Sequence, residues 1–244
     1  MKKYEFTGET KLYSGITLRR IRATITITFS NGVKIEEGTI GGWIEKEENL
    51  DHYGNAWVSG NAMVSGNAWV SGNAWVYGNA WVSGNARVSG YAMVSGNAFV
   101  YGYAMVSGNA WVYGNAMVSG NARVSDNARV SGNAWVYGNA WVYGNAWVYG
   151  NAWVYGNAEV LKKTHLLQIG AIGSRDDFTT FFRTKDKEIK VVCGCFYGTV
   201  PEFLEKVEAT HGDSKHGKAY RLAAELAMLQ IEDVEKEEKE CATT

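Results

Sequence analysis

Apolar and polar positions recur along residues 53–160 with a period of six and no insertion. Valine stands at every sixth position from Val58 to Val160, which makes 18 hexads, and alanine stands two residues before each one, Ala56 to Ala158. Each hexad reads Ala-x-Val, then Ser/Tyr-Gly-Asn. In an extended segment alternate side chains share a face, so Ala and Val point one way and x the other. The x position is mostly Trp, Met or Phe, but it also holds Arg87, Arg123, Arg129 and Glu159. Turned inward, those four would be buried charges without evident partners, at a cost of several kcal/mol each. The pattern therefore puts Ala and Val inside and x outside. A strict short period marks a solenoid. A narrow tube filled by Ala and Val needs three short sides per turn, hence 18 residues per coil and about six coils. At ~4.8 Å between strands the prism is about 29 Å long.

The corners carry Gly because their backbone angles penalise a Cβ, and Asn because it tolerates such angles better than most residues. Asn also falls on Asn in successive coils, where side-chain amides can bond along the axis. Asp126 replaces one Gly, and Tyr91 and Tyr103 replace two Asn.

The flanks break the period. Residues 1–52 predict a β-rich cap. Ile25 to Phe29 alternates, Ser30-Asn31-Gly32 turns, and Val33 to Ile35 returns, a hairpin signal. Ile44 and Leu50 are six apart and read as degenerate first hexads, with Glu45 to Glu48 a solvated corner. A cap here would block end-to-end pairing of solenoids. Residues 161–244 predict a separate domain with three strands, at His165 to Ile172, Phe178 to Thr184 and Ile189 to Tyr197. Thr199 with Glu202 three residues on is a capping box, and Pro201 suits a first helical turn. That helix should end near Gly212. A second helix is expected over 214–235, with a fraying tail at 235–240. The order βββαα predicts a small α+β domain.

The hexads resemble the hexapeptide-repeat family, whose solenoids are left-handed parallel β-helices. The resemblance thus implies a mainly β, left-handed parallel β-helix. Gly-Gly-Trp-Ile-Glu-Lys-Glu-Glu-Asn-Leu followed by Gly-Asn-Ala-Trp-Val-Tyr repeats is similar to β-solenoid proteins of bacteria and their temperate phages, over residues 1–160. Ile-Gly-Ser-Arg, Cys-Gly-Cys-Phe and Thr-His-Gly-Asp look like a tail domain of phage-borne members. The resemblance implies a phage or prophage origin and carries no activity with it.

Net charge is −1, distributed as 0, +1 and −2 over the three segments. No segment is basic enough to argue for nucleic acid. No apolar run has transmembrane length and no signal-peptide core follows Met1, so no membrane association is expected. Cys193, Cys195 and Cys241 make an odd count, which suits a reducing cytoplasm better than a disulfide framework.

Acyl transfer is the first chemistry to weigh, since many hexapeptide solenoids are acyltransferases with a His near the coils. Here His52, His165, His211 and His216 all lie outside the hexads, and no loop interrupts the repeats. The three zinc-binding His of the γ-type carbonic anhydrases are absent from the repeats too. No catalytic residue and no cofactor is expected. Cys193 and Cys195 fall on one face of a strand, and His211 on the apolar face of the first helix. With His216 these four are a weak candidate metal site; the alternative is two small core cysteines. Arg175 and Asp176 in a polar loop, with Arg183, Lys185 and His211, are candidates for holding an anionic ligand. A solvated hairpin turn is the competing reading of that loop.

Sorting every third hexad gives three outward faces. The first reads Trp57, Trp75, Met93, Trp111, Arg129, Trp147. The second reads Met63, Trp81, Phe99, Met117, Trp135, Trp153. The third reads Trp69, Arg87, Met105, Arg123, Trp141, Glu159. Aromatic stacking between coils explains ladders, but not one whole face without a polar residue. The expected function is a non-enzymatic scaffold that forms a homo-oligomer through the second face and presents the C-terminal domain to a protein or small-molecule partner. The family resemblance favours a trimer, then a dimer. The rival expectation is a ligand-binding or sequestering protein, against a host signal molecule for example, with its pocket in the C-terminal domain. A hexapeptide-type acyltransferase comes third.

Overall fold

The computed structural model describes residues 2–231. Each hexad contributes a two-residue strand, x and Val, from Trp57–Val58 to Glu159–Val160. The inner strands pair in parallel with those 18 residues before and after them, as Trp81 does with Met63 and Phe99. The result is three sheets along the axis, and they are the three faces the pattern sorted. Ala56 to Ala158 and Val58 to Val160 fill the interior at 0–1% exposure. Three backbone bonds per hexad join one coil to the next. Trp81 N–H donates to the Ala98 carbonyl at 2.9 Å, Ser83 N–H to Val100 at 2.9 Å and Asn85 N–H to Gly102 at 2.7 Å.

The corners are as crowded as the pattern implies. Gly90 has φ +69°, and a Cβ there would lie 2.9 Å from the Gly108 nitrogen in the next coil. Asp126 takes this left-handed conformation with a side chain (φ +57°), and its carboxylate accepts a bond from Gly144 N–H at 3.1 Å. Along the corner before the second face the amides form an unbroken ladder, Asn61–Asn79–Asn97–Asn115–Asn133–Asn151, at 3.0–3.2 Å.

The N-terminal segment does more than the hairpin reading predicts. Strands β1 (Tyr4–Tyr13) and β2 (Ile16–Ala23) form a long antiparallel hairpin. Its two-residue turn has Ser14 at φ +49° and Gly15 at φ +79°, the left-handed pair such a turn demands. The short pair β3 (Ile27–Thr28) and β4 (Lys34–Ile35) is the hairpin expected from Asn31-Gly32. Strand β5 (Ile40–Ile44) pairs antiparallel with β2 but parallel with the hexads, Trp43 with Met63 and Ile44 with Val64. Leu50 bridges Val70. The degenerate first hexads are thus a real coil, and the solenoid has about seven turns rather than six, since the second face carries seven parallel rungs. Gly42 makes this possible: a Cβ there would meet Val58 Cγ1 at 2.7 Å and the Ala62 carbonyl at 2.8 Å.

The start of the solenoid is plugged by Tyr4, which is 1% exposed. Its hydroxyl sits 2.8 Å from the Glu47 carbonyl and 3.0 Å from that of Leu50, and its ring stacks on His52 at 4.3 Å. Burial, with Glu47, Glu48 and Asp51 nearby, pushes the Tyr4 hydroxyl well above the usual tyrosine range.

The C-terminal domain is a four-stranded antiparallel sheet, β6 (Leu166–Ile172), β7 (Asp177–Arg183), β8 (Ile189–Cys193) and β9 (Phe196–Thr199), followed by α1 (Val200–His211) and α2 (Lys215–Gln230). The third predicted strand is therefore two. Gly194 (φ +58°) and Cys195 form a two-residue turn between Cys193 and Phe196. Thr199 and Glu202 form the capping box, and α1 ends before Gly212. Ser214 caps α2 by accepting from Gly217 N–H. The predicted end of α2 near 235 and the tail at 235–240 lie outside the described residues.

This domain seals the last coil. Leu166, Phe182 and Val192 join the same apolar cluster as the Ala and Val interior. Tyr155 at a solenoid corner stacks between Tyr137 and Tyr197, both at 4.6 Å. Lys185 N–H donates to the Asn157 carbonyl at 3.1 Å. No helix among the described residues is long and apolar enough to cross a membrane.

Candidate functional surfaces and pocket

The three faces differ in how they hold charge. On the first, Arg129 lies between Trp111 and Trp147, its guanidinium 5.2 and 5.1 Å from the two rings, and Lys163 covers Trp147 at 4.0 Å. On the third, Arg123 lies 5.1 Å from Trp141, Arg87 6.0 Å from Trp69, and Lys185 3.9 Å from Trp141. These cation–π contacts keep a charge in water while covering part of each ring. On the second face the cation–π contacts fall on the first rung, where Lys11 lies 4.4 Å and Arg20 4.9 Å from the Trp43 ring; among the described residues its later rungs carry none. Its aromatics contact each other instead: Trp81 and Phe99 at 4.8 Å, and Trp135 on Trp153 at 5.2 Å with planes only 4° apart.

The second face is not open along its whole length, as the sequence pattern implied. Met63 is buried in a cluster with Leu18 and Trp43, under the β1–β2 hairpin. Tyr13, near the hairpin tip, packs edge-on to Trp81 at 5.2 Å. At the other end Phe178 of β7 overhangs Trp153 across a small cavity of about 140 Å³. What remains open is Phe99, Met117, Trp135 and Trp153, the last two 39% and 40% exposed. The first face also loses a residue. Trp57 points outward from the tube yet is fully buried, its ring beneath Gly41 and in one apolar cluster with Ile27, Phe29 and Ile35. Phe29 stacks on Trp75 at 5.3 Å.

The C-terminal candidates divide into two places. Arg183 is buried at the junction, 3.5 Å from Glu159, and Lys185 lies on Trp141, so both tie the domain to the solenoid. Asp176 is exposed in the four-residue turn between β6 and β7 (φ +48°). Arg175 and His211, by contrast, line one pocket of about 240 Å³ with Cys193 and Cys195. The β6–β7 turn supplies Arg175, the end of β8 Cys193, the β8–β9 turn Cys195, α1 His211, and α2 Tyr220. Thr179 Oγ1–H donates to Cys193 Sγ at 3.3 Å. Burial, then a hydrogen bond shared with Cys193, pushes the Tyr220 hydroxyl up to about 12.

The four candidate metal ligands are not gathered. Cys193 ends a strand, Cys195 sits in the following turn rather than on the same strand, and His211 and His216 face each other at 6.2 Å between rings. Among the described residues no group of three His, Cys, Asp or Glu is placed to hold a metal ion. His52 lies in the cap, bonded to Glu47 at 2.8 Å, and His165 is buried beside the last coil.

The repeats match the family model for the YdcK β-solenoid repeat in eight stretches: 56–72, 68–84, 80–96, 98–114, 110–125, 122–138, 136–150 and 140–156. All eight lie within the hexads. No curated protein matches the chain. The chain is a β-solenoid repeat protein.

Proposed function

We propose that this β-solenoid is a non-enzymatic scaffold that self-associates through its second face and carries the C-terminal domain as a binding head. The observation behind this reading is the contrast between faces. Arg residues sit on Trp rings on the first and third, which suits water, whereas the second offers Phe99, Met117, Trp135 and Trp153 with no charge among them. Contiguous apolar strips of that kind mark interaction sites on soluble proteins. A closed cyclic oligomer, trimer before dimer, would use the same strip on every subunit. The overhanging Tyr13 and Phe178 would limit the seam to the middle rungs. Phe99→Glu with Met117→Glu places like charges there on every subunit. Light scattering should report an oligomer for the wild type and a monomer for the double variant, with unchanged circular dichroism. A wild-type monomer at micromolar concentration overturns the reading.

A second reading, a small-molecule binding or sequestering protein, is favoured by the C-terminal pocket. The resemblance to phage-borne solenoids supports a phage or prophage setting and a cytoplasmic place for either reading.

A further inference from the structure

We propose that the C-terminal pocket binds a small organic oxyanion, a carboxylate or phosphate carried on a flat apolar body. This deepens the reading of that domain as the binding head and does not depend on assembly. The pocket lining carries Arg175 and Lys206 and no Asp or Glu. The Arg175 guanidinium comes in over the β8–β9 turn, so close that a Cβ on Gly194 would meet Nη1 at 2.5 Å. Among the described residues no ion pair engages it, whereas Arg183 and Arg221 each have a carboxylate. A guanidinium at a pocket mouth without a protein acceptor can present its paired N–H donors to a carboxylate or phosphate. Ser174 and Thr210 add hydroxyls at the rim, and Phe196, Phe203 and Val207 form an apolar wall. Phe203 is held rigid by edge-on contacts with Phe181 at 6.0 Å and Tyr220 at 5.6 Å. The volume falls below the ~300–1,000 Å³ of pockets for drug-sized molecules, so the body should be a single ring or a short chain.

The test uses the full chain and isothermal titration calorimetry with benzoate, phenyl phosphate, inorganic phosphate and benzyl alcohol. Saturable binding of benzoate or phenyl phosphate is expected, and which of the two binds tighter tells carboxylate from phosphate. Benzyl alcohol should bind at least tenfold more weakly, and so should inorganic phosphate. Arg175→Ala should weaken the anion at least tenfold, with Arg175→Lys intermediate and the unliganded melting temperature of both variants unchanged. Absence of binding by both anions, or an affinity that Arg175→Ala leaves intact, overturns the proposal. Benzyl alcohol or inorganic phosphate binding as tightly as the aromatic anion does so too. Light scattering on the same samples keeps the two ideas apart. An oligomer without binding discards the ligand class, and a monomer with binding discards the scaffold.

Discussion

Lys3 is a residue whose cost can be read directly. It is 1% exposed, its Nζ reaches the Gly54 carbonyl at 3.3 Å, and burial lowers its pKa to about 8 against the opposing pull of Asp51. The folded chain therefore holds this proton less tightly than the unfolded chain, so stability should rise as pH climbs from about 8 towards 10.5. Below that window the cost is present in full. Lys3→Met should stabilise at pH 7 by no more than roughly 3 kcal/mol, less what the bond to Gly54 contributes. Urea melts of both chains at pH 7 and pH 10 check this: the difference should shrink at the higher pH, and a constant difference would contradict it. The outward position of Trp57 was legible from the hexad, but its burial was not. Period two says which side a side chain leaves by, whereas the cover comes from Gly41, Ile35, Phe29 and Ile27, 16 to 30 positions away.

At the scale of elements, the hexad alone specified strand and corner, and register to within multiples of six residues, since every such alignment stacks Val on Val; the 18-residue turn came from the three short sides of a tube filled by Ala and Val. The amide ladder gives a direct measure. Asn97 donates to Asn115 at 3.0 Å and accepts from Asn79 at 3.1 Å. Asn97→Ala removes both bonds and leaves two partners to water, so a loss of about 1–2 kcal/mol is expected in denaturant melts. Asn85→Ala should cost less, since Tyr103 ends that ladder and only the bond from Asn67 is lost. Equal losses would show that the ladder adds little. The β1–β2 hairpin was harder to read. Ser14-Gly15 is a two-residue turn signal, but β1 has little apolar alternation because half of it stands away from the body. The split of the third C-terminal strand was similarly hidden, since Cys-Gly-Cys passes for strand until Gly194 takes positive φ. Arg175 with His211, and Cys193 with His211, were legible as candidate groups; that one pocket holds all three was not, because α1, the end of β8 and the β6–β7 turn meet only through the tertiary fold.

For the whole molecule, coil length and face identity are separable. Deleting residues 93–110 removes one full coil and restores every face, with Trp81 stacking on Met117. Deleting residues 99–110 removes two thirds of a coil. Trp81 would then stack on Trp111, the second face would continue through Arg129, and Met117 would stack on Arg87, so every face carries a charge. Both chains keep the Ala-Val interior and both ends, so both should fold, as circular dichroism would show. Only the 18-residue deletion should keep the oligomer. If the 12-residue deletion assembles equally well, the seam lies elsewhere.

The bonds between coils all run along the axis, and this gives the protein a mechanical grain. A pull that lifts the chain from one end loads only the three bonds of the hexad being peeled, while the rest of the prism bears nothing. The covalent chain winds around the axis and resists stretching across it. Once an end plug is drawn, each turn released should add 18 residues, about 60 Å of contour. Force against extension should then be a sawtooth of even teeth, one for each hexad and three for each turn of the solenoid.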